Sequence, residues 1–304
     1  MHLRAATRGS ALALWQSEHV AAALVDAGRA EGLEVSVELV VVETVADVRL
    51  DIPIWEMGGK GVFVKEVQAA VLDGRADLAV HSAKDLPAIT PDELVVAAIP
   101  ERADPRDVLI GSTFKGLVTG ALVATGSVRR RAQLAWLRPD LTFVGLRGNI
   151  ATRLSKADGF DAIVMAAAAI ERLGLDLGGR TVDVLGPDVM LPQVGQGALA
   201  VECRVDDART RSLLAHLDHG PSRWTVEAER AFLAELGGDC DLPAGAYATL
   251  EGDDLTIEGL LASMDGHVVL RERRSVPVAD GPAAGRALAR HLLDDAGGAA
   301  LLTR

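Results

Sequence analysis

Five consecutive residues, His81-Ser82-Ala83-Lys84-Asp85, carry the densest chemistry in this chain, and Leu86-Pro87 closes them off. An imidazole, a hydroxyl, an ammonium and a carboxylate so close together can move protons and hold charged ligands. The stretch follows a short apolar run, Asp77-Leu78-Ala79-Val80, with the composition of a buried strand. Pro87 blocks continuation of either a ladder or a helix, so the polar groups arrive at the end of a strand. In open α/β sheets that edge is where ligands bind. An ordinary turn with solvated polar residues has the same composition, so the rest of the chain must discriminate.

A second polar exit lies at Thr7-Arg8-Gly9-Ser10. Ser10 is a cap for a helix predicted through about Val25 and closed by Gly28. Backbone N–H groups at such a helix start face outward and favour anions, although a cap with an incidental arginine explains the same residues. A strand is predicted over Val35–Val42. Met57-Gly58-Gly59-Lys60-Gly61 opens another helix, with Phe63, Val67, Ala70 and Val71 at helical spacing and Gly74 at its end. Glycines around a lysine let backbone amides approach a negative ligand, and a hinge would use them equally well.

After a strand over Leu94–Ile99, the charged, proline-rich segment Pro100–Pro105 marks a crossing between domains. A second βα series follows. Ala121–Ala124 reads as a strand, Thr125-Gly126-Ser127 as a turn, and Arg129, Arg130 and Arg131 as the first turn of a helix. Cations there oppose the helix dipole, so an anionic partner would offset the cost. Leu141–Gly145 leads to Arg147-Gly148-Asn149 and a short helix with Arg153, and Asp161–Met165 leads to an alanine-rich helix with Arg172. Arginine recurs at each strand exit. With Arg8, Lys60 and Lys84 these residues predict a cationic cleft for a ligand with several carboxylates or phosphates.

Pro192–Gly197 reads as a hinge before a strand over Ala198–Cys203. A helix from near Thr225 to Leu236 runs into Gly237-Gly238-Asp239-Cys240-Asp241. Strands over Gly245–Leu250, Asp254–Ala262 and His267–Ser275 and a closing helix over Pro282–Asp294 make a small α+β domain.

At 304 residues the chain is too long for one core, so two or three domains are expected. Hydrophobic residues at 49% suit a packed α/β protein. Aromatics at 3% and a net charge of −12 argue against nucleic-acid binding. No apolar run reaches the roughly 18–20 residues of a membrane span, and Met1–Ala5 lacks the apolar core of a signal peptide. A cytoplasmic location is expected, and a monomer, since no apolar surface helix demands a partner. The two cysteines make no disulfide framework. Cys203, in an apolar strand, reads as a buried structural thiol. Cys240, in a glycine-rich loop, suits covalent attachment, although Asp239 and Asp241 would raise its thiol pKa. No ligand spacing suggests zinc or another metal.

Taken in order, Arg8-Gly9-Ser10, Gly58-Gly59-Lys60-Gly61, His81–Pro87, Arg129-Arg130, Arg147-Gly148-Asn149, Val194–Gly197 and Gly237–Pro243 resemble the hydroxymethylbilane synthase (porphobilinogen deaminase) family. The register holds from Ala6 to Ala248 and more loosely beyond. The resemblance implies an α/β fold of two type II periplasmic-binding-protein-like lobes plus a small α+β C-terminal domain. The implied domains are 1–99 with 196–217, then 100–195, then 218–304, the last carrying the cofactor cysteine. It implies a transferase of porphyrin (heme) biosynthesis that joins four porphobilinogen molecules head to tail, with release of ammonia, into the linear tetrapyrrole hydroxymethylbilane. One dipyrromethane per chain, in thioether linkage to Cys240, is the implied primer.

On the family's pattern Asp85 matches the catalytic residue. Asp47, Lys60, Ser82, Lys84, Thr125, Gly126, Ser127, Arg129 and Arg130 match cofactor-binding positions, and Arg8, Ser10, Phe63, Arg147, Arg153, Arg172 and Gln196 match substrate-binding ones. No metal, nucleic acid or membrane is implied. Departures are Ala11 for a proline, Ala46 for a glycine, Glu56 for a lysine, Gly126 for a serine and Asp239 for a glycine. A solute-binding protein on the same fold and a cofactor-free paralogue are the alternative readings.

Overall fold

The computed structural model describes residues 1–44, 61, 64–237 and 242–302. Its contacts divide the chain into two compact units, Met1–Arg102 with Ala198–Arg223 and Ala103–Gly197 with Trp224–Arg304.

The first unit is built on a five-stranded sheet, β2-β1-β3-β10-β4. Its strands are β1 (His2–Arg8), β2 (Ser36–Val42), β3 (Leu78–Ser82), β4 (Leu94–Ala98) and β10 (Leu199–Arg204). β1 pairs in parallel with both β2 and β3, whereas β10 returns antiparallel between β3 and β4. Arg4 and Asp77 pin the β1–β3 register. Asp77 accepts from the Arg4 backbone N–H at 2.8 Å and from Nη2 at 2.9 Å, and its own N–H donates to the Arg4 carbonyl at 2.8 Å. Alternation along β1 sends Leu3 and Ala5 to one face with Val20 and Leu24 of helix α1 (Ala11–Ala30). Ala6 goes to the other face, with Val67, Ala70 and Val71 of helix α2 (Lys65–Leu72). Cys203 lies on β10 with no exposed surface, and burial pushes its thiol up to about 11, as expected of a structural cysteine.

The second unit repeats this plan in the sheet β7-β6-β8-β5-β9. β6 (Leu122–Ala124) pairs in parallel with β7 (Thr142–Val144) and β8 (Ala162–Ala166). β5 (Asp107–Ile110) runs antiparallel between β8 and β9 (Val182–Leu185). In each sheet the fourth strand is the one adjoining a crossing segment. Helix α3 (Val128–Leu137) covers one face through Leu134, and α4 (Ile150–Ser155) the other through Leu154. α5 (Ala167–Arg172) follows β8.

The same unit contains the antiparallel sheet β11 (Ala244–Glu251), β12 (Asp254–Ala262) and β13 (Val269–Pro277). One face packs on Phe232 of α7 (Gly220–Glu235) and Leu288 of α8 (Gly281–Arg290). The other sets Leu260 and Ala262 against Ala132 and Leu191. α6 (Ala208–Leu214) precedes α7 in the first unit. The architecture is thus two α/β lobes of one plan with a small C-terminal sheet-and-helix element.

Three sequence expectations shift. β5 and β9 were not foreseen, because four-residue segments that each include an aspartate carry little periodic signal. α7 starts at Gly220 rather than Thr225. α1 runs on through Gly28 to Ala30, and the chain leaves the helix at Gly32, in the left-handed region at φ +69°. Gly28 supplies room rather than a stop, since a Cβ there would lie 2.2 Å from Val35 Cγ2. Gly28→Ala is therefore expected to destabilise by about 1–3 kcal/mol through overpacking, despite a helix-propensity gain of about 1 kcal/mol. Adding Val35→Ala should recover part of the overpacking loss in denaturant unfolding.

Candidate active site at the carboxyl edge of the first sheet

β1 and β3 are neighbours whose onward connections diverge, β1 to β2 on one side and β3 towards β4 on the other. Such a switch point leaves a crevice beyond the carboxyl ends of the strands. Arg8 ends β1, and Ser10 caps α1, its hydroxyl accepting from the Ala13 N–H at 3.3 Å. β3 ends at Ser82, and a single 3₁₀ turn, Ala83–Asp85, follows. The Ala83 N–H donates to Ala198 at 3.0 Å and the Leu86 N–H to Ala83 at 3.3 Å, which fixes that turn.

The crevice is a small cavity of about 50 Å³, open to solvent. Arg8, Ser10, Gln16, His81, Ser82 and Asp85 give it polar walls, and Leu12, Val64, Val67 and Val80 line the remainder. Guanidinium and hydroxyl groups suit an anionic ligand, while the Asp85 carboxylate can accept a proton or stabilise a nearby cation. Lys84 is half-buried beside Asp85 on the turn. His81, also in the cavity wall, is held from behind by a buried carboxylate. Its Nε2 stands 3.0 Å from Glu202 Oε2, and Gln68 Nε2 donates to the same carboxylate at 2.9 Å.

In the second unit, the equivalent edge holds Thr125, Gly126 and Ser127 after β6. Thr125 Oγ1 accepts from the Ser127 N–H, and Ser127 caps α3. At Gly126 a Cβ would sit 2.8 Å from the Leu146 carbonyl, so the missing serine is a steric necessity here. Arg129 and Arg130 are both buried and share one carboxylate, that of Asp107 at the start of β5. Arg129 Nη2 and Arg130 Nη2 each donate to it at 2.7 Å. The anion that offsets the dipole at this helix start is thus internal.

Gln196, matched to substrate in the sequence, is fully buried and donates to Asp107 at 2.9 Å and to Pro105 at 2.7 Å. Burial opposes ionisation of Asp107 most strongly. The charges of Arg129 and Arg130, with hydrogen bonds from Arg129 and Gln196, outweigh it and hold the carboxyl well below the usual range. Burial also pulls the Arg129 guanidinium below its usual pKa, with Asp107 opposing and Arg130 reinforcing.

Arg147 lies in the β7–α4 loop and Arg153 within α4, where Arg153 Nε donates to the Gly148 carbonyl at 2.8 Å and Asn149 caps the helix. Arg172 ends α5 and donates to the Gly197 carbonyl at 2.6 Å, and burial lowers its pKa. Asp47, Lys60, Phe63 and Cys240 lie outside the described residues, as do Ala46, Glu56 and Asp239. Among the described residues no cluster of metal-ligand side chains occurs, and no helix is long and apolar enough to cross a membrane. Sequence reasoning missed Asp107 and Gln16. Asp107 looks like a solvated charge beside Asp104 and Arg106, and Gln16 like a helix-surface amide.

The model of the family domain "Porphobilinogen deaminase, dipyromethane cofactor binding domain" matches residues 3–212. That of "Porphobilinogen deaminase, C-terminal domain" matches residues 224–294. The chain is 49% identical over 303 residues to the porphobilinogen deaminase of Nitratidesulfovibrio vulgaris (strain DSM 19637 / Miyazaki F), covering 96% of this chain and 94% of the relative. It is 50% identical over 301 residues to that of Roseiflexus sp. (strain RS-1), covering 97% of each. Among solved structures, a TRAP periplasmic solute binding protein from Desulfovibrio salexigens DSM2638 aligns at a TM-score of 0.44 and 11% identity, over 74% of each chain.

Asp107 sets a pH dependence whose sign follows from its depressed pKa. Its stabilisation is fully present above the unfolded carboxyl value of about 3.9 and is lost as pH falls towards the lower folded value. Asp107→Asn should lower unfolding free energy at pH 7 by about 3–5 kcal/mol, because two buried guanidiniums lose their counter-ion. Unfolding of the variant and parent chains in urea between pH 3 and pH 7 should show the gap narrowing in acid.

Proposed function

The chain belongs to the porphobilinogen deaminase family, and on that premise we propose that Asp85 is its catalytic residue and that the β1–β3 crevice receives porphobilinogen. The enzyme is a transferase of tetrapyrrole biosynthesis. It joins four porphobilinogen molecules head to tail, with release of ammonia, into a linear tetrapyrrole, starting from a dipyrromethane cofactor.

Each porphobilinogen carries an acetate, a propionate, a pyrrole N–H and an aminomethyl group. Positive charge develops on the substrate pyrrole as ammonia leaves, and a fixed carboxylate next to the ring nitrogen stabilises it. Asp85 is the cavity-lining carboxylate in position to do so, and it can also carry the proton that the attacked ring releases. Arg8 and the Ser10 hydroxyl bind the carboxylate arms. The single observation that carries this reading is the convergence of Arg8, Ser10, Ser82 and Asp85 on one cavity from two separate strand ends.

When bound, the dipyrromethane supplies a tethered pyrrole with a free α-carbon from which the chain grows. The residues present fit such an anionic group. Arg129 and Arg130 share one carboxylate, leaving a positive charge in surplus, and among the described residues Arg129 Nε is a buried donor with no hydrogen-bond partner. Arg129, Arg130, Ser127, Thr125 and Gly126 belong to the cofactor, with Lys84, Ser82, Asp47 and Lys60. Arg147, Arg153 and Arg172 take the carboxylates of substrate or growing chain, with Phe63 against a ring. Cys240 is the thioether anchor. The same reading divides the chain into domains 1–99 with 196–217, 100–195 and 218–304, the last supported by the separate C-terminal family match. It makes the protein a cytoplasmic monomer with no nucleic-acid partner.

Asp85→Asn should lower kcat by about 10²–10⁴-fold, the range of a lost acid–base group, while intact mass under denaturing conditions still shows the covalent pyrroles. Near-normal ammonia release would remove Asp85 from its role. Cys240→Ala should leave the chain at its unmodified mass after incubation with porphobilinogen, and a retained covalent pyrrole would move the anchor elsewhere.

A further inference from the structure

One wall of the crevice is backed by a buried acid–base pair, His81 and Glu202. Ala79 packs under α2, and His81, two residues further along β3, comes to the edge of the same face and lines the cavity with Asp85. Across the ladder His81 opposes Ala200 and Ala79 opposes Glu202, so Glu202 stands diagonally behind the imidazole. Its carboxylate is fully buried, and Gln68 Nε2 donates to its two oxygens at 2.9 and 3.2 Å. His81 Nε2 is shielded from solvent and lies 3.0 Å from Glu202 Oε2, at ion-pair distance but short of hydrogen-bond alignment. Catalytic hydrogen bonds commonly align only once substrate is in place.

A carboxylate in the middle of a strand is costly to bury. Apolar side chains could close this wall, as Val64, Val67 and Val80 close other parts of the cavity. An imidazole with a carboxylate behind one nitrogen is the arrangement that takes up a proton at the other. The carboxylate keeps the hydrogen on Nε2, leaves Nδ1 as the acceptor, and stabilises the imidazolium that forms.

The reaction supplies the proton, and this step rests on the crevice being the porphobilinogen site. Each addition forms a carbon–carbon bond at a ring α-carbon, and the hydrogen there must leave as a proton before the ring is a pyrrole again. Asp85 could take it, but a carboxyl that holds the proton no longer stabilises the cation of the following addition. We propose that His81 is a catalytic residue that removes this proton at Nδ1, with Glu202 as its positioning residue, while Asp85 stays ionised beside the ring nitrogens. The electron pair of the broken C–H bond returns to the ring. The imidazolium of His81 then gives its proton to the ammonia released in the same addition, which departs as ammonium and resets the pair. Porphobilinogen enters with its amine as ammonium, so protons and charge balance over each addition.

His81→Gln in the holoenzyme separates this role from a structural one, since glutamine keeps a polar side chain but cannot take the proton. Its kcat should fall about 10²–10⁴-fold, the range of a lost acid–base group. KM should change little, as for an interaction made only in the transition state. Porphobilinogen carrying deuterium on its free α-carbon should then turn over more slowly than the protium form, because removal of that hydrogen has become limiting. A structural role would lower kcat without an isotope effect. Glu202→Gln should lower kcat by less and show the same isotope effect. It also serves where His81→Gln folds poorly, since the imidazole stays in place. A folded His81→Gln chain with near-parent kcat overturns the proposal, as does a fall in kcat with no isotope effect in either variant. Asp85→Asn is the parallel control. If it lowers kcat and His81→Gln does not, the His81 inference alone fails; if neither does, the placement of substrate in this crevice fails.

Discussion

Pairing of Ala5 with Leu78 and of Ala6 with Ala79 sets β1 and β3 side by side and in parallel. The Arg4–Asp77 clamp holds that register at the strand starts, and burial of Leu3, Ala5, Leu78 and Val80 in one core holds it along the strands. A slip of one residue would turn each of those side chains to the opposite face. With the register fixed, the two chain ends emerge together at the carboxyl edge. Arg8 and Ser10 leave from one strand, and Ser82 and Asp85 from the other. Neither strand alone makes a site. Their adjacency does, because a parallel pair whose connections diverge leaves a crevice that no helix fills.

The second lobe uses the same edge for a different electrostatic task. Its α3 begins with two arginines where a helix would accept an anion more readily. Asp107 resolves part of that conflict, reaching the edge because β5 runs antiparallel and opposes the last residue of β8. One carboxylate against two guanidiniums leaves the cluster short of one negative charge. Buried ion pairs contribute little net stability but are costly to break, so the cluster serves to hold cations in place. A lobe so arranged holds its guanidiniums in place with one positive charge in surplus.

The polar groups of the first lobe divide between those buried against one another and those that line the crevice. Glu202, fully buried in the middle of β10, takes Gln68 and His81 and so keeps the histidine as part of the wall. Asp85 stands on a turn beyond the ladder, half-buried and facing the cavity. Two acids close to β3 thereby acquire different surroundings, one buried among hydrogen-bond donors and the other lining the cavity.

Periodicity, glycine and proline placement, and the order of the motifs determined most of the elements and the family. The α/β class, the exits after β1, β3, β6, β7 and β8, and the buried Cys203 were all legible, because each is a local pattern of residue types. Tertiary structure decided what depends on contacts remote in sequence. It placed Asp107 against Arg129 and Arg130, turned Gln196 inward, carried α1 through Gly28, and buried Gln16 in the wall of a cavity. A charge, a glycine or an amide reads the same in sequence whether it meets water, a partner or a ligand. Only the fold, by burying it and choosing its neighbours, settles which.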